Sequence, residues 1–164
     1  MPALAELIAV IAAHFPRVRT GLDVGFGDEA ATNLLRETCG GLWLSIGMSA
    51  AFPYEDAQFD VVVLNGAALT REAVRETNRA LKPGGCAFFT VDEKTRKQEG
   101  YTLPSVYRLV REGFDIIAVK RPKWWYFGRR GRTLTVCLRK KAWRECKTFV
   151  RSGGLTFTPF RKRT

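Results

Sequence analysis

The chain has 164 residues, 46% of them hydrophobic, which suits one domain with a sizeable core. Its net charge of +11 is uneven, because residues 120–164 carry 15 basic side chains and one acid, which suggests contact with RNA or another polyanion. No apolar run reaches the ~18 residues of a membrane span. The four cysteines are too scattered for a disulfide or metal framework, so we expect a reduced, cytoplasmic protein without a metal site.

Helical and extended patterns alternate along the chain. The predicted elements are, in order, a helix over 3–15, a strand over 22–24, a helix over 29–38, strands over 42–46 and 59–64, a helix over 70–81, a strand over 86–91, a helix over 104–112, and strands over 114–119 and 133–138. This alternation predicts an α/β fold with a doubly wound, mostly parallel sheet. The last two strands have no helix between them and should form an antiparallel hairpin at one edge. Residues 1–141 are predicted to be the α/β domain and residues 142–164 a basic C-terminal extension.

The segment from Thr20 to Ala30 reads as a buried strand, a tight glycine turn and the start of a helix. This order builds a nucleotide-binding crevice at the carboxyl end of a strand. Gly25 and Gly27 allow close approach of the backbone to a ligand, and Asp23 adds a carboxylate. The spacing also fits the dinucleotide fingerprint, but no acidic residue follows a clear second strand about 20 residues on, as NAD binding would require.

Three motifs together resemble those of the class I S-adenosylmethionine-dependent methyltransferases. The family's Asp-x-Gly-x-Gly turn matches Asp23, Gly25 and Gly27, its Phe-Asp-x-Val-x strand matches residues 59–63, and its Leu-x-Pro-Gly-Gly turn matches residues 81–85. The resemblance covers about residues 15–140. It implies a Rossmann-like sheet and S-adenosylmethionine as cofactor. The cofactor-binding residues that it implies are Asp23, Gly25, Phe26 and Gly27 around the methionine moiety, with Met48 and Ala50 on the adenine side.

The chain departs from the family pattern in three ways. Glu29 stands where the family has a third glycine, and Met48 stands where the family has an adenine-binding aspartate. Too few residues separate Gly27 from Phe59 for the two strand–helix units that the family has there, since a full βαβ unit takes roughly 30 residues. We therefore expect one strand–helix unit to be missing, with the strand over 42–46 beside the first strand or at the edge of the sheet. The acidic residue that binds the ribose hydroxyls in the family would be lost together with this strand–helix unit.

Two further features have both a functional and a structural interpretation. Asn65 follows the central strand, where it could orient a substrate as the candidate catalytic residue, although Asn-Gly also forms simple turns. The loop 120–132 interleaves cations with four aromatic residues and could bind nucleic acid, or it could be a hairpin whose aromatics pack on the sheet. The nucleic-acid candidates in it are Lys123, Trp125, Arg129, Arg130 and Arg132.

These features favour a small S-adenosylmethionine-dependent methyltransferase of unknown acceptor. The alternative is a non-catalytic module that kept the methyltransferase fold and binds nucleic acid or a protein through the basic residues 120–164. The intact Asp23-x-Gly25-x-Gly27 turn favours the enzyme, whereas Glu29, Met48 and the missing unit favour the module.

Overall fold

The computed structural model describes residues 2–25, 29–47, 51–65, 69–94, 99–121 and 133–141, together with four short backbone segments near the C-terminus. The described helices are α1 (Pro2–His14), α2 (Glu29–Cys39), α3 (Arg71–Ala80) and α4 (Leu103–Val110). The strands of the main sheet are β1 (Thr20–Val24), β2 (Leu42–Ile46), β3 (Phe59–Asn65), β4 (Leu81–Asp92), β5 (Phe114–Lys120) and β6 (Thr133–Lys140). Four two-residue strands follow, namely β7 (Trp143–Arg144), β8 (Phe149–Val150), β9 (Thr156–Phe157) and β10 (Lys162–Arg163).

The six main strands lie in the order β2-β1-β3-β4-β6-β5. The first four are parallel to one another, whereas β6 is antiparallel to both β4 and β5. The predicted mostly parallel sheet with an antiparallel pair at one edge is therefore confirmed. β2 pairs with β1 at the other edge, and it is the one strand within residues 41–47 and 51–58. The absence of a strand–helix unit is thus also confirmed.

The sheet is covered on both faces, and each face has its own apolar cluster. One cluster packs beneath α3 and α4 and includes Leu22, Val62 and Phe89. The other packs beneath α1 and α2 and includes Trp43 and Phe88. Burial on both faces explains why the central strands are continuous apolar runs instead of alternating ones.

Threonine side chains fix the starts of the two helices on the α3–α4 face. Thr70 accepts a hydrogen bond from the backbone N–H of Ala73, and Thr102 forms a reciprocal capping box with Ser105. Each cap satisfies a backbone N–H that has no partner within the helix. These caps fix the first turns of α3 and α4, which follow the edge of the sheet at which β3 and β4 end.

The largest shift from the predicted boundaries is at the start of β4. The sequence pattern places the strand from residue 86, after the turn at Pro83, but β4 begins at Leu81, which pairs with Phe59. The register then shifts, and Val61 pairs with Cys86. The Pro-Gly-Gly sequence is accommodated as an irregularity within the strand, with Gly84 at φ +77°.

Asp60 ties β1, β3 and β4 together at the edge where these strands begin. Its carboxylate accepts hydrogen bonds from the backbone N–H groups of Arg19 and Thr20 and from Lys82 Nζ, at 2.9–3.0 Å. Burial on its own would raise the pKa of Asp60, but the bonds from Lys82, Thr20 and Arg19 outweigh it and hold that pKa below its ordinary value. Asp60 therefore stabilises the fold in its ionised form.

Replacing this carboxylate should make the stability of the protein less sensitive to acid. A carboxyl with a lowered folded-state pKa stabilises the fold above its unfolded pKa of about 3.9 and loses that contribution as the pH falls through the folded pKa. We expect Asp60→Asn to be less stable than the wild type at pH 7, with the difference narrowing below about pH 4. Urea unfolding between pH 3 and 7 measures this, with Glu37→Gln, an exposed acid on α2, as control. A difference independent of pH would contradict the assignment.

Candidate functional site

The order of the strands reverses direction between β1 and β3. From β1 the chain passes through α2 to β2 on one side, and from β3 it passes through α3 to β4 on the other. Ligands of open α/β sheets bind outside the carboxyl ends of the strands at such a point. Here those ends carry Asp23, Gly25 and Asn65, since Val24 pairs with Leu64 and Asn65 is the next residue.

Asp23 lies at the crevice but faces inward. The residue is 0% exposed, and its Oδ2 accepts hydrogen bonds from Thr32 Oγ1 at 3.1 Å and from Ser45 Oγ at 3.4 Å. Thr32 is on α2 and Ser45 on β2, so the carboxylate joins the three elements that surround the glycine turn. Asp23 thus holds the turn in place from beneath it. Neither hydroxyl partner is marked by the motif that identifies Asp23, and sequence reasoning missed both.

Gly25 has the backbone conformation that the sequence motif requires. Its φ is +95°, a region that residues with a Cβ rarely adopt, and its N–H donates to the carbonyl oxygen of Ile46 at 3.0 Å. The turn therefore starts directly after β1 while still hydrogen-bonded to the end of β2. The other predicted cofactor residues, Phe26, Gly27, Met48 and Ala50, lie outside the described residues.

The end of β2 offers no carboxylate to a ribose. The strand ends with Ser45 and Ile46, and Gly47 follows. Among the described residues, the first acid that follows the glycine turn is Glu29, the exposed first residue of α2. The donor set therefore fits the methionine half of S-adenosylmethionine, through a left-handed glycine at the switch point. It does not include the acidic residue that, by the resemblance, would bind the ribose hydroxyls.

Asn65 is the last residue of β3, and its backbone pairs with Thr90 of β4. Further along, the Tyr101 hydroxyl accepts a hydrogen bond from the Leu69 N–H at 2.9 Å, which fixes the chain just before α3. Tyr101 is a site-supporting residue that the sequence did not reveal. Asn65 is thus placed at the crevice, and its catalytic role stays a prediction.

Arg79 fixes the segment that enters β3. Its guanidinium group uses all of its N–H groups, donating to Glu76, to Asp56 and to the carbonyl oxygens of Phe52 and Tyr54, at 2.7–3.0 Å. Glu76 also accepts from the Phe52 N–H at 2.9 Å. The hydrogen bond from Arg79 is the main cause that lowers the pKa of Glu76. This clamp holds residues 52–56, which precede β3.

The basic loop of the sequence analysis starts and ends at the crevice edge. β5 ends there at Lys120, β6 starts there at Thr133, and the Arg121 Nε lies 3.0 Å from Glu93 Oε1 just after β4. The five predicted nucleic-acid residues, Lys123, Trp125, Arg129, Arg130 and Arg132, lie outside the described residues. Among the residues that the structure describes, no cluster of His, Cys, Asp and Glu could hold a metal ion. No described helix is long and apolar enough to cross a membrane.

No protein-family model and no curated protein matches the chain by sequence. Solved structures match it closely in fold. The chain is similar to the 1,6-didemethyltoxoflavin-N1-methyltransferase of Burkholderia thailandensis, solved with 1,6-didemethyltoxoflavin and S-adenosylhomocysteine, at a TM-score of 0.69 and 19% identity over 84% of this chain and 78% of that one. It is also similar to the N-methyltransferase NodS of Bradyrhizobium japonicum, solved with S-adenosylhomocysteine. The TM-score is 0.66 and the identity 14%, over 85% of this chain and 86% of that one.

The cyclase SpnF is a third similar structure, with a TM-score of 0.58 and 15% identity over 84% of this chain and 80% of that one. A cyclase among these structures illustrates that one fold serves more than one chemistry. At these identities the likeness establishes the arrangement of strands and helices, and the strand order agrees with it. The chain therefore has the fold of the class I S-adenosylmethionine-dependent methyltransferases, in a shortened form that lacks one strand–helix unit.

Proposed function

We propose that the protein is an S-adenosylmethionine-dependent methyltransferase whose cofactor binds at the carboxyl ends of β1 and β3. The observation that carries this proposal is the left-handed Gly25, φ +95°, directly after β1 at the point where the strand order reverses. The similar structures from Burkholderia thailandensis and Bradyrhizobium japonicum were solved with S-adenosylhomocysteine, which supports the same ligand class here. Residues 1–141 form the methyltransferase-like domain in this proposal, and residues 142–164 a basic extension.

The contribution of the chain is to position the reactants. S-adenosylmethionine supplies an already activated methyl group, so alignment of the donor with the acceptor is the main requirement for transfer. Asp23 fixes the glycine turn through Thr32 and Ser45, and the backbone of Gly25 and Gly27 would bind the methionine moiety. Met48 and Ala50 would contact the adenine, and Asn65, at the end of β3, would orient the acceptor.

Binding of S-adenosylhomocysteine tests the proposal directly. Ligand at 100 times its Kd should add about 2.7 kcal/mol to the free energy of unfolding, which raises Tm by about 5–10 °C for a domain of this size. Gly25→Ala should abolish that shift, because alanine resists a positive φ at the turn. Differential scanning fluorimetry and calorimetry measure the two effects.

The matched control is Gly84→Ala. Gly84 also has a positive φ, +77°, but a Cβ there meets no atom within 4 Å, and the residue lies at the opposite edge of the sheet. Both variants carry similar backbone strain, so a loss of binding in Gly25→Ala alone locates the ligand at the glycine turn. If millimolar S-adenosylhomocysteine left the Tm of the wild type unchanged, the enzyme proposal would be wrong.

The second candidate is a non-catalytic binding module that keeps the fold. The absent strand–helix unit and the lack of an acid at the end of β2 favour it. In this case Lys123, Trp125, Arg129, Arg130 and Arg132 would contact RNA or another polyanion beside the crevice. Stable folding without a response to S-adenosylhomocysteine, together with RNA binding that Arg129→Ala with Arg130→Ala weakens, would select the module.

A further inference from the structure

A groove of about 810 Å³ is lined by residues of α3 and α4 on one face of the sheet. Its floor includes Asn78 and Gly113, whose carbonyl oxygen accepts from the Asn78 Nδ2 at 2.9 Å, and the buried Lys140. Gly113 precedes β5 and Lys140 ends β6, so the groove opens at the edge where β3, β4 and β5 begin. None of its residues belongs to the proposed cofactor site, and of its arginines only Arg71, the first residue of α3, follows the edge where β3 ends.

The walls of the groove are strongly basic. Arg71 and Arg75 line it from α3, and Arg108 and Arg111 line it from α4 and the residue after it. All four are exposed, and within the described part of the chain none of them forms an ion pair with a carboxylate. The lining contains three acids: Asp56 and Glu76 are bound to Arg79, and Glu112 is exposed next to Arg111 in the sequence and forms no ion pair with the described basic residues. The groove therefore presents four available guanidinium groups.

The spacing of these cations suits a chain of phosphates. Arg71 and Arg75 are one helical turn apart, about 6 Å along α3 at 1.5 Å per residue. Arg108 and Arg111 line the groove from the other helix and its C-cap, three residues apart. Guanidinium groups bind phosphate oxygens in a bidentate manner, which makes arginine the preferred residue for phosphate recognition. A row of arginines on each wall matches a ligand with repeated phosphates better than one with a single anionic group.

Two neighbouring features favour a nucleic acid over an acidic protein. Tyr107 on α4 is 53% exposed and precedes Arg108 in the sequence but does not line the groove, so its ring offers a stacking surface for a base outside the groove. The C-terminal extension begins at the same edge, just after Lys140 and Lys141, and residues 142–164 carry six basic side chains against one acid.

We infer that the α3–α4 groove is a nucleic-acid-binding surface that contacts the phosphate backbone through Arg71, Arg75, Arg108 and Arg111. It shares no residue with the loop 120–132, and it is independent of whether the protein methylates anything. Recognition of this kind depends on the backbone of the strand and is largely insensitive to sequence.

The test compares two charge-matched variants of the full chain. Arg75→Gln with Arg108→Gln removes one cation from each wall of the groove. Arg17→Gln with Arg36→Gln removes two exposed arginines near α1 and on α2, away from the α3–α4 face. Fluorescence anisotropy with a labelled 20-nucleotide oligouridylate is measured from 50 to 400 mM salt. Each phosphate contact contributes about −0.7 to the slope of log K against log salt for single strands.

We expect the groove variant to reduce that slope by about 1.4 and the affinity at 0.1 M salt by about 25-fold, since two contacts are lost. The control variant should change the affinity less than about twofold. Tyr107→Ala should weaken binding about fivefold or more with the slope unchanged, as expected for a stacking contact. A duplex DNA of equal length and ATP serve as competitors that separate strand binding from binding of a free nucleotide.

Several results would overturn the inference. Equal losses in the groove and control variants would mean that only the net charge matters. Unchanged binding in the groove variant would place the contact elsewhere, for example in the loop 120–132. Competition by ATP as strong as that by the oligonucleotide would indicate a small phosphorylated ligand. Melting curves of all variants test whether unfolding causes any loss of binding. None of the replaced arginines forms an ion pair with a described carboxylate, although Arg36 donates to Asn33 and to the Trp43 carbonyl oxygen.

Discussion

Replacement of Arg79 by alanine should lower the free energy of unfolding by about 2–4 kcal/mol. The change removes the guanidinium that binds Glu76, Asp56, and the carbonyl oxygens of Phe52 and Tyr54 at once. Glu76, whose side chain is 19% exposed, loses its cation, and the entry to β3 loses its attachment to α3. For a domain of this size, the effect corresponds to a fall in Tm of roughly 5–15 °C. Urea unfolding followed by circular dichroism measures it.

Two controls separate the clamp from a general effect of arginine removal. Arg75→Ala removes an exposed arginine from the same helix and should change stability by less than about 0.5 kcal/mol. Arg79→Lys keeps the charge but cannot reproduce the fork of donors, so we expect it to recover less than half of the loss. If Arg79→Ala proved as mild as Arg75→Ala, the clamp would not matter for stability.

The second large effect is expected at Gly21, where β2 docks onto β1. Gly21 pairs with Trp43, and a Cβ built on Gly21 would lie 2.5 Å from two atoms of the Trp43 ring. The ring is 1% exposed, and its Nε1 donates to the Gly40 carbonyl oxygen at 2.8 Å, so it has little freedom to move. Gly21→Ala should therefore destabilise the protein by about 2–4 kcal/mol, although alanine alone favours folding relative to glycine.

A double-mutant cycle tests this packing. Trp43→Val removes the ring and should by itself cost about 3–4 kcal/mol. In the Gly21→Ala/Trp43→Val protein the clash is absent, so the combined loss should fall short of the sum of the single losses by more than 1 kcal/mol. Gly47→Ala, just after β2 with no atom within 4 Å of the added Cβ, is the control. Strict additivity would refute the contact.

The fold was largely predictable because it depends on local patterns. Val61, Val62 and Val63 are all 0% exposed, as a continuous apolar run indicates for a central strand. The shortage of residues between Gly27 and Phe59 predicted the missing unit, since chain length limits what can be built. The predicted start of β4 was wrong, because Leu81 already pairs with Phe59 and the strand therefore begins before the Pro-Gly-Gly turn.

The supports of the candidate site were not predictable in the same way. Asp23 was identified from a motif, but its partners Thr32 and Ser45 are 9 and 22 residues away. The acceptors of Arg79 belong to a loop that comes 23–27 residues earlier, apart from Glu76. Such partners are brought together by the tertiary fold. The hydrophobic period of a strand or helix, two or 3.6 residues, does not indicate which distant residues will be in contact.

The position of β6 between β4 and β5 has a consequence for synthesis of the chain. β5 pairs only with β6 in the main sheet, so it has no neighbour to join when it leaves the ribosome. Until residues 133–140 follow, β4 keeps an open edge that bears Phe88 and Phe89. At 5–20 residues per second, the interval from Asp92 to Lys140 is about 2–10 s. During that time the nascent chain exposes an unpaired apolar strand, the kind of surface that chaperones cover and that aggregation exploits.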